Sequence, residues 1–249
     1  MELAEEQTEL SIDDLAEQVA AIALPSERLV DCALVLYDLE TTGLNVKADR
    51  IVEIAAQRLV FGGGAWIREG PALELLVNPG ISVPTAAVEI HGITDEMVAD
   101  AVGIVEGLQQ LRDYIGPGAV PTIVMAHNGM RFDRHFVRSG WPVALPRFDP
   151  QCVRYWGDSI SLFKLLSPGR FESYTLAHLH DELGGPAVQA HRALADVRMM
   201  EHVLACLWAE RVEAFDRYDL EDLCRMKGVA SGAPGSASLR NRTLFALLE

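Results

Sequence analysis

Residues 33–44 read ALVLYDLETTGL and indicate the fold class. The first half of this stretch is apolar on both faces, which is typical of a central strand covered by helices on both sides. Asp38 and Glu40 end the run, and side chains two apart on a strand point to the same face. Two such carboxylates offer oxygen ligands that suit magnesium or manganese. For a D-x-E pair considered alone, however, a strand end that meets solvent is the better interpretation.

The turn that follows the strand strengthens the case for a ligand site. Gly43 permits close approach of the backbone to a ligand, and Thr41 and Thr42 carry hydroxyl and amide donors that suit a sugar or a phosphate. An ordinary turn after a strand can have the same sequence. We therefore treat Thr41, Thr42, Gly43 and Leu44 as candidate substrate-binding residues.

Hydrophobic periodicity predicts the other elements of a mixed α/β domain. The predicted strands are residues 51–61, 73–77, 121–126 and 147–149, with the glycines at 62–64 joining the first two in a hairpin. The predicted helices are residues 104–115, 132–139, 173–183, 193–208 and 219–227. A capping box at Ser11 and Asp14 predicts one more helix, which ends before Pro25.

Two further acidic positions accompany predicted elements. Asp133 lies near the start of a helix that follows the strand ending at residues 126–129, although the helix dipole alone would favour an acid there. His191 and Asp196 form an H-x-x-x-x-D pattern, and five helical positions turn through about 500°, so the two would not share a helix face. His191 therefore precedes the helix, where an imidazole with a pKa near 6.5 could take a proton from a water that Asp196 helps to hold. An ordinary surface histidine is the alternative.

The acidic residues gain weight from their joint occurrence. Together they carry enough charge for two divalent cations roughly 4 Å apart, the arrangement that activates water in phosphodiester displacement. The four are Asp38, Glu40, Asp133 and Asp196.

Three motifs make the sequence resemble the DEDDh exonucleases, a family of bacterial proofreading subunits, oligoribonucleases and three-prime repair exonucleases. They are residues 38–43 (DLETTG), 128–133 (NGMRFD) and 191–196 (HRALAD). A fourth stretch, residues 90–94 (IHGIT), resembles a segment that lies near the substrate strand in relatives. The resemblance covers roughly residues 34–207.

This resemblance implies an α/β, ribonuclease-H-like fold: a five-stranded mixed sheet flanked by helices, with the second strand antiparallel. It implies that two Mg²⁺ or Mn²⁺ ions are bridged by Asp38. Glu40 and Asp196 would complete the site of the nucleophilic water, Asp133 would support the second ion, and His191 would be the general base.

The resemblance also adds His91, Ile93 and Asn128 to the candidate substrate-binding residues. The implied activity is a 3′→5′ exonuclease acting on single-stranded or frayed DNA ends and releasing nucleoside 5′-monophosphates. An oligoribonuclease-like action on RNA is the first alternative. A non-catalytic nucleic-acid-binding module is the second, disfavoured because a costly cluster of charges needs a function. Residues 126–129 and 171–176 resemble the three-prime repair branch, whereas residues 38–44 and 90–94 resemble the proofreading branch.

Composition indicates where such a protein works. The 249 residues are 49% hydrophobic, enough for a full core, and the four cysteines are scattered without a C-x-x-C pair. This favours a reducing cytoplasm and is against a zinc knuckle or a secreted disulfide framework. The N-terminus is acidic, unlike a signal peptide, and no apolar run approaches the roughly 20 residues of a membrane span.

The net charge of −15 weighs against extensive phosphate binding, which normally uses Lys and Arg. Bound metal would neutralise several acids, and a short 3′ end needs only a local basic patch. The arginines that cluster in the sequence are Arg131, Arg134, Arg138, Arg147 and Arg154.

We divide the chain into residues 1–30, an N-terminal extension with one helix; residues 31–210, the exonuclease domain; and residues 211–249, a helix, a flexible linker and an apolar tail. The linker, residues 228–238, is rich in Gly, Ala and Ser. The tail could dock as a short helix in a partner's groove, or it could fold back onto the chain itself. The sequence does not indicate an oligomeric state.

Overall fold

The computed structural model describes residues 29–116, 122–129, 131–140, 153–188, 191–210 and 245–246. The strands are β1 (Ala33–Thr41), β2 (Ile51–Gly62), β3 (Ala65–Arg68), β4 (Leu73–Asn78), β5 (Val102–Gly103), β6 (Thr122–Ala126), β7 (Val153–Asp158) and β8 (Phe245–Ala246). The helices are α1 (Thr85–His91), α2 (Asp95–Val98), α3 (Ile104–Ile115), α4 (Asp133–Gly140), α5 (Ser159–Leu166), α6 (Leu176–Glu182) and α7 (Ala193–Ala209), preceded by a 3-10 turn, Leu29–Asp31.

The strands form one mixed sheet in the order β5-β4-β2-β1-β6-β7-β8, with β3 also paired to β2. β2 is antiparallel to β1, whereas β6 and β7 run parallel to β1. The α/β class, the mixed sheet and the antiparallel second strand are therefore confirmed. The expected count of five strands holds only for the long strands, β4-β2-β1-β6-β7. The additional strands have two to four residues, too few to give a periodic signal.

Most element boundaries agree with the sequence predictions, and two differ. The glycines at 62–64 lead into β3, so the tight hairpin joins β2 to β3 and not directly to β4. Helix α6 begins after Thr175, because Ser173 accepts a hydrogen bond from the Thr175 N–H (3.2 Å) and forms a turn ahead of the helix. The predicted strand at 147–149, the helices at 11–24 and 219–227 and the linker lie outside the described residues.

The two faces of β1 belong to two different hydrophobic clusters. Leu34 and Leu36 pack with α5, α6 and α7 on one face, and Val35 and Tyr37 pack with α3 and α4 on the other. Side chains alternate along a strand, so Asp38 continues the row of Leu34 and Leu36 and faces α7. The sheet thus directs the acid-bearing face of β1 toward the helix that carries Asp196.

The parallel strands bring their carboxyl ends to one edge of the sheet. Leu36 on β1 is in register with Met125 on β6, and Ala126 on β6 is in register with Asp158 on β7. In open α/β sheets this edge is where ligands bind. In the parts of the chain that the structure describes, no helix is both long and apolar enough to cross a membrane.

Candidate active site

The carboxylates of β1 lie beside a local irregularity of the sheet. Glu40 is in register with Glu53 of β2, and the register shifts between Glu40 and Thr41. A bulge of this kind bends a strand and redirects its side chains, and bulges are common beside active sites. It occurs here at the last acidic residue of the D-x-E motif.

Asp38 and Glu40 meet a third carboxylate from α7. Asp196 lies in the first turn of that helix, and carboxylate oxygens of Asp38, Glu40 and Asp196 all lie within 4.8 Å of one another. All three side chains are half-buried. Among the described residues this is the group whose donor atoms could hold a metal ion, and an all-oxygen donor set suits Mg²⁺ or Mn²⁺ better than a soft metal.

Burial and neighbouring negative charge raise the pKa values of all three carboxyl groups. Burial, then the negative charges of Asp133 and Asp196, raise the pKa of Asp38 well above its usual value. Burial and the charge of Asp196 raise the pKa of Glu40 to about 8. Burial likewise raises the pKa of Asp196, although the N–H group of His191 opposes this shift. A bound cation would offset both effects, because its positive charge stabilises the ionised form of every carboxylate around it.

Asp133, the fourth acid, adjoins this group without belonging to it. It is the first residue of α4 and is 2% exposed. Burial raises its pKa to about 7, against the effect of hydrogen bonds from its own N–H and that of Leu39. Its charge acts on Asp38. The structure therefore brings three of the four predicted ligands together and places the fourth beside Asp38.

His191 precedes α7, as the spacing to Asp196 predicted. Its side chain is exposed, and its backbone has a φ of 62°, in the left-handed region. The His191 N–H donates to Asp196 Oδ1 at 3.4 Å. The imidazole is thus carried on the segment that enters the acidic helix, beside the carboxylate cluster and open to solvent.

The candidate substrate turn is held by internal hydrogen bonds. Thr41 Oγ1 donates to the Gly43 carbonyl (2.7 Å), and Thr42 Oγ1 donates to Asp49 Oδ1 (3.0 Å). Asp49 also accepts from the Asn45 N–H (2.8 Å). Both threonine hydroxyls therefore shape the turn, and the side chain that it presents outward is Leu44, 82% exposed. Contact between this turn and substrate stays a prediction.

The other three candidate substrate residues differ in exposure. His91 is buried, burial lowers its pKa, and its Nδ1 accepts from the Ile93 N–H (3.0 Å). Ile93 is 0% exposed, and its side chain packs in the core. A contact between this residue and substrate stays a prediction. The exposed apolar residue of the same stretch is Ile90, 60% exposed. Asn128 is exposed, with a φ of 62°.

Three polar residues near the site did not stand out in the sequence. Glu53 on β2 forms an ion pair with Arg192, the residue after His191. Asp158 ends β7, is 7% exposed and accepts from the Ile160 N–H (2.9 Å), and its charge raises the pKa of Asp133. The signal for Glu53 was an acid inside the apolar run IVEIAA at 51–56.

The described part of the predicted basic patch lies on or just before α4. Arg131 and Arg138 are exposed, and Arg134 is half-buried. Burial raises the pKa of Tyr37, and the charge of Arg134 opposes this rise. Arg147 and the side chain of Arg154 lie outside the described residues. Arg131 lies within the 128–133 motif, and Arg134 and Arg138 follow on the helix that begins with Asp133.

A mixed sheet with acids gathered at the carboxyl ends of its strands defines a nuclease of the ribonuclease-H-like class. The chain belongs to the RNase T exonuclease family, whose family model matches residues 35–204. The resemblance predicted from the three motifs is thereby confirmed. The boundaries at residues 31 and 210 stay predictions.

Known relatives agree with this assignment. The chain is 33% identical to a DNA polymerase III subunit epsilon-like protein of Rhodobacter capsulatus over 186 residues, 74% of this chain and 25% of that protein. It is 32% identical to the PolC-type DNA polymerase III of Thermotoga maritima over 173 residues, 70% of this chain and 12% of the polymerase. It is 32% identical to the Arabidopsis thaliana exonuclease DPD1, chloroplastic/mitochondrial, over 182 residues, 68% of this chain and 54% of that protein. The chain thus spans a quarter or less of the two bacterial relatives.

Among solved structures, the E. coli exonuclease I complex with single-stranded DNA has a TM-score of 0.61 at 21% identity, covering 75% of this chain and 42% of that one. The apo form of exonuclease I has a TM-score of 0.60. These similarities show the fold.

Proposed function

We propose that the protein is a divalent-metal-dependent 3′→5′ exonuclease that hydrolyses single-stranded or frayed DNA ends and releases nucleoside 5′-monophosphates. The observation that carries the proposal is the convergence of Asp38, Glu40 and Asp196 within 4.8 Å. A half-buried group of three acids costs free energy through repulsion and lost hydration, and a bound cation would offset this cost. Asp133, beside Asp38, extends the negative site toward α4.

The residues fit a pair of Mg²⁺ or Mn²⁺ ions. Asp38 is central, since the charges of Asp133, Asp196 and Glu40 all act on it. Asp38 would bridge the two positions, Glu40 and Asp196 would hold one ion, and Asp133 would support the other. Bound ions would supply acidification of the attacking water and stabilisation of the phosphate oxygens in the displacement.

Side chains of the protein would accept the proton of the attacking water and bind the nucleic-acid strand. A ring nitrogen of His191 would take the proton of the attacking water, because the imidazole is exposed on the segment whose N–H contacts Asp196. The turn at 41–44 presents Leu44 to the terminal nucleotide. Arg131 and Arg138 supply positive charge for the phosphates of the strand in an otherwise acidic protein.

DNA is the substrate that the comparisons favour. Two of the relatives described above are named as DNA polymerase III proteins, and the similar fold of exonuclease I was solved with single-stranded DNA. We place the enzyme in the cytoplasm, because the four cysteines of the sequence are scattered without a C-x-x-C pair, which suits a reducing compartment.

The test uses 5′-labelled DNA and RNA of matched sequence, single- and double-stranded, with Mg²⁺, Mn²⁺ or EDTA. We expect a ladder that shortens from the 3′ end on single-stranded DNA, no cleavage in EDTA, and protection by a blocked 3′ terminus. Release of the labelled 5′ nucleotide would refute the polarity. Faster degradation of short RNA would establish the oligoribonuclease-like alternative, and binding without cleavage in every condition would establish the non-catalytic one.

A further inference from the structure

Glu53 is an acid placed where the sequence is otherwise apolar. It is the third residue of β2 and is 1% exposed. A buried carboxylate is costly unless it is paired and hydrogen-bonded. Here both of its oxygens are used, and every partner belongs to one short segment of the chain, the entry to α7.

Glu53 accepts hydrogen bonds from two groups, the forked guanidinium of Arg192 and the backbone N–H of Ala193. Arg192 Nη2 donates to Glu53 Oε1 at 2.6 Å, and Arg192 Nε lies 3.1 and 3.2 Å from the two Glu53 oxygens. Glu53 Oε2 also accepts the N–H of Ala193, the first residue of α7, at 2.8 Å. An arginine paired to a carboxylate in this way fixes geometry as well as charge.

The anchored point lies between two residues of the candidate site. His191 immediately precedes Arg192, and Asp196 follows in the first turn of the helix. Glu53 is itself in register with Glu40 on the neighbouring strand. One buried carboxylate therefore ties the His191 segment to the strand pair that carries the other acids.

His191 depends on this anchor more than Asp196 does. Ala193 and Val197 are 0% exposed in the core, so packing alone secures the helix that carries Asp196. His191 is exposed and holds a left-handed φ of 62°, which is a strained conformation for a non-glycine residue. Such a conformation persists only where the surrounding structure enforces it.

We infer that Glu53 and Arg192 are positioning residues, which act on the reaction by holding the imidazole of His191 at the acidic cluster. The inference rests on the proposed function, because it assumes that His191 is the general base. Neither residue touches the reacting atoms. Their contribution should therefore vanish when the imidazole is absent.

The experiment is a double-mutant cycle between Arg192→Lys and His191→Ala, measured as single-turnover cleavage of single-stranded DNA with saturating Mg²⁺. Lysine keeps the charge but loses the fork. We expect Arg192→Lys to lower the rate about 10-fold or more when His191 is present, because small misplacements of a catalytic group cost this much. In the His191→Ala background the same change should alter the rate by about 2-fold or less.

Arg198→Lys is the matched control, since Arg198 also joins α7 to β2, through Gln57 Oε1 (2.9 Å), and has a similar side-chain exposure (28% against 33%). It should have the same small effect in both backgrounds. Glu53→Gln is the second variant; it leaves an amide in place of the buried charge and should reproduce the Arg192→Lys pattern.

Equal rate losses for Arg192→Lys with and without His191 would overturn the positioning role and leave the proposed function intact. Full activity of His191→Ala alone would overturn the general base, and the positioning role with it. Failure of both Arg192→Lys and Glu53→Gln to fold, judged by circular dichroism and thermal melting, would show that the pair serves the core and would also overturn the proposal.

Discussion

Glu40 on β1 lies directly opposite Glu53 on β2, and the two acids have different neighbours. Glu53 is paired with Arg192 at 2.6 Å. Glu40 is grouped instead with Asp38 and Asp196. Like charges opposite one another in a sheet destabilise it. Arg192 neutralises Glu53, so in the metal-free protein the repulsion between carboxylates remains among Glu40, Asp38 and Asp196.

The metal-free protein should lose stability as the pH rises. The folded pKa values of Glu40 (about 8) and Asp133 (about 7) lie above their ordinary values. The native state therefore binds more protons than the unfolded state between about pH 4 and pH 8, and stability falls across that window. In EDTA we expect the Tm to drop by about 3 °C or more from pH 6 to pH 8.5, since 1 kcal/mol is worth roughly 2–4 °C at this size.

Saturating Mg²⁺ should reverse much of this drop, because the ion binds the ionised acids of the native state. Glu40→Gln is the control, because the net negative charge of the protein alone could also lower the Tm as the pH rises. The Tm of this variant in EDTA should depend less on pH than that of the unchanged protein. A Tm that depends on pH equally in both proteins, or that does not respond to Mg²⁺, would contradict the metal-site assignment.

Asp38→Ala should abolish cleavage while leaving the fold intact. Asp38 is the acid on which the charges of the other three act, and a bridging carboxylate has no substitute nearby. Its removal relieves repulsion, so the Tm in EDTA should stay the same or rise. Gel analysis of product and thermal melting give the two readouts. Substantial residual exonuclease activity in a normally folded variant would refute the bridging role.

His191→Ala should lower turnover by about 10²–10⁴-fold and spare metal binding, as expected for a general base that is not a ligand. Among the described residues, His191 is absent from the group whose donor atoms could hold a metal ion. Titration of Mn²⁺ by calorimetry separates the two roles. Loss of metal affinity together with activity would make His191 a ligand and require another base.

Local spacing predicted much of the site. The D-x-E pair could be placed on one face of a buried strand because alternation along a strand is strict. The five-residue spacing from His191 to Asp196 showed that the histidine precedes the helix, because helical geometry is regular.

Long-range pairing could not be predicted in the same way. Glu53 and Arg192 are 139 positions apart in the chain, so no local pattern joins them, and only the approach of α7 to β2 makes the ion pair. Ile93 shows the converse: its motif resembles a substrate-binding segment, yet the fold buries its side chain. Burial is set by packing between elements and not by the motif.

Gly43→Ala should disturb the substrate turn. A Cβ at Gly43 would lie 2.6 to 2.8 Å from the Asp49 carboxylate, which also binds Thr42 Oγ1 and the Asn45 N–H. The methyl group must displace this carboxylate and loosen the turn that presents Leu44. We expect the KM for single-stranded DNA to rise about 10-fold, with a smaller change in kcat.

Gly103→Ala is the control for Gly43→Ala, since a Cβ there has nothing within 4 Å and should leave the kinetics unchanged. An unchanged KM in Gly43→Ala, with a normal fold, would show that the turn does not contact the substrate.

The tail contributes a strand to the sheet. β8 pairs antiparallel with β7, with Phe245 opposite Gly157 and Ala246 opposite Trp156. Of the two alternatives for the tail, this pairing favours folding back onto the chain and not docking in a partner's groove. A few ladder hydrogen bonds are each worth about 1 kcal/mol. Deleting residues 229–249 should therefore lower the Tm by roughly 2–6 °C while hydrolysis of a short oligonucleotide below that temperature stays nearly unchanged.

Replacing Phe245 and Ala246 together by proline in the full chain, which removes their ladder N–H groups, should reproduce the loss of Tm. An unchanged Tm in both proteins would contradict the pairing and favour the tail as a docking segment for a partner.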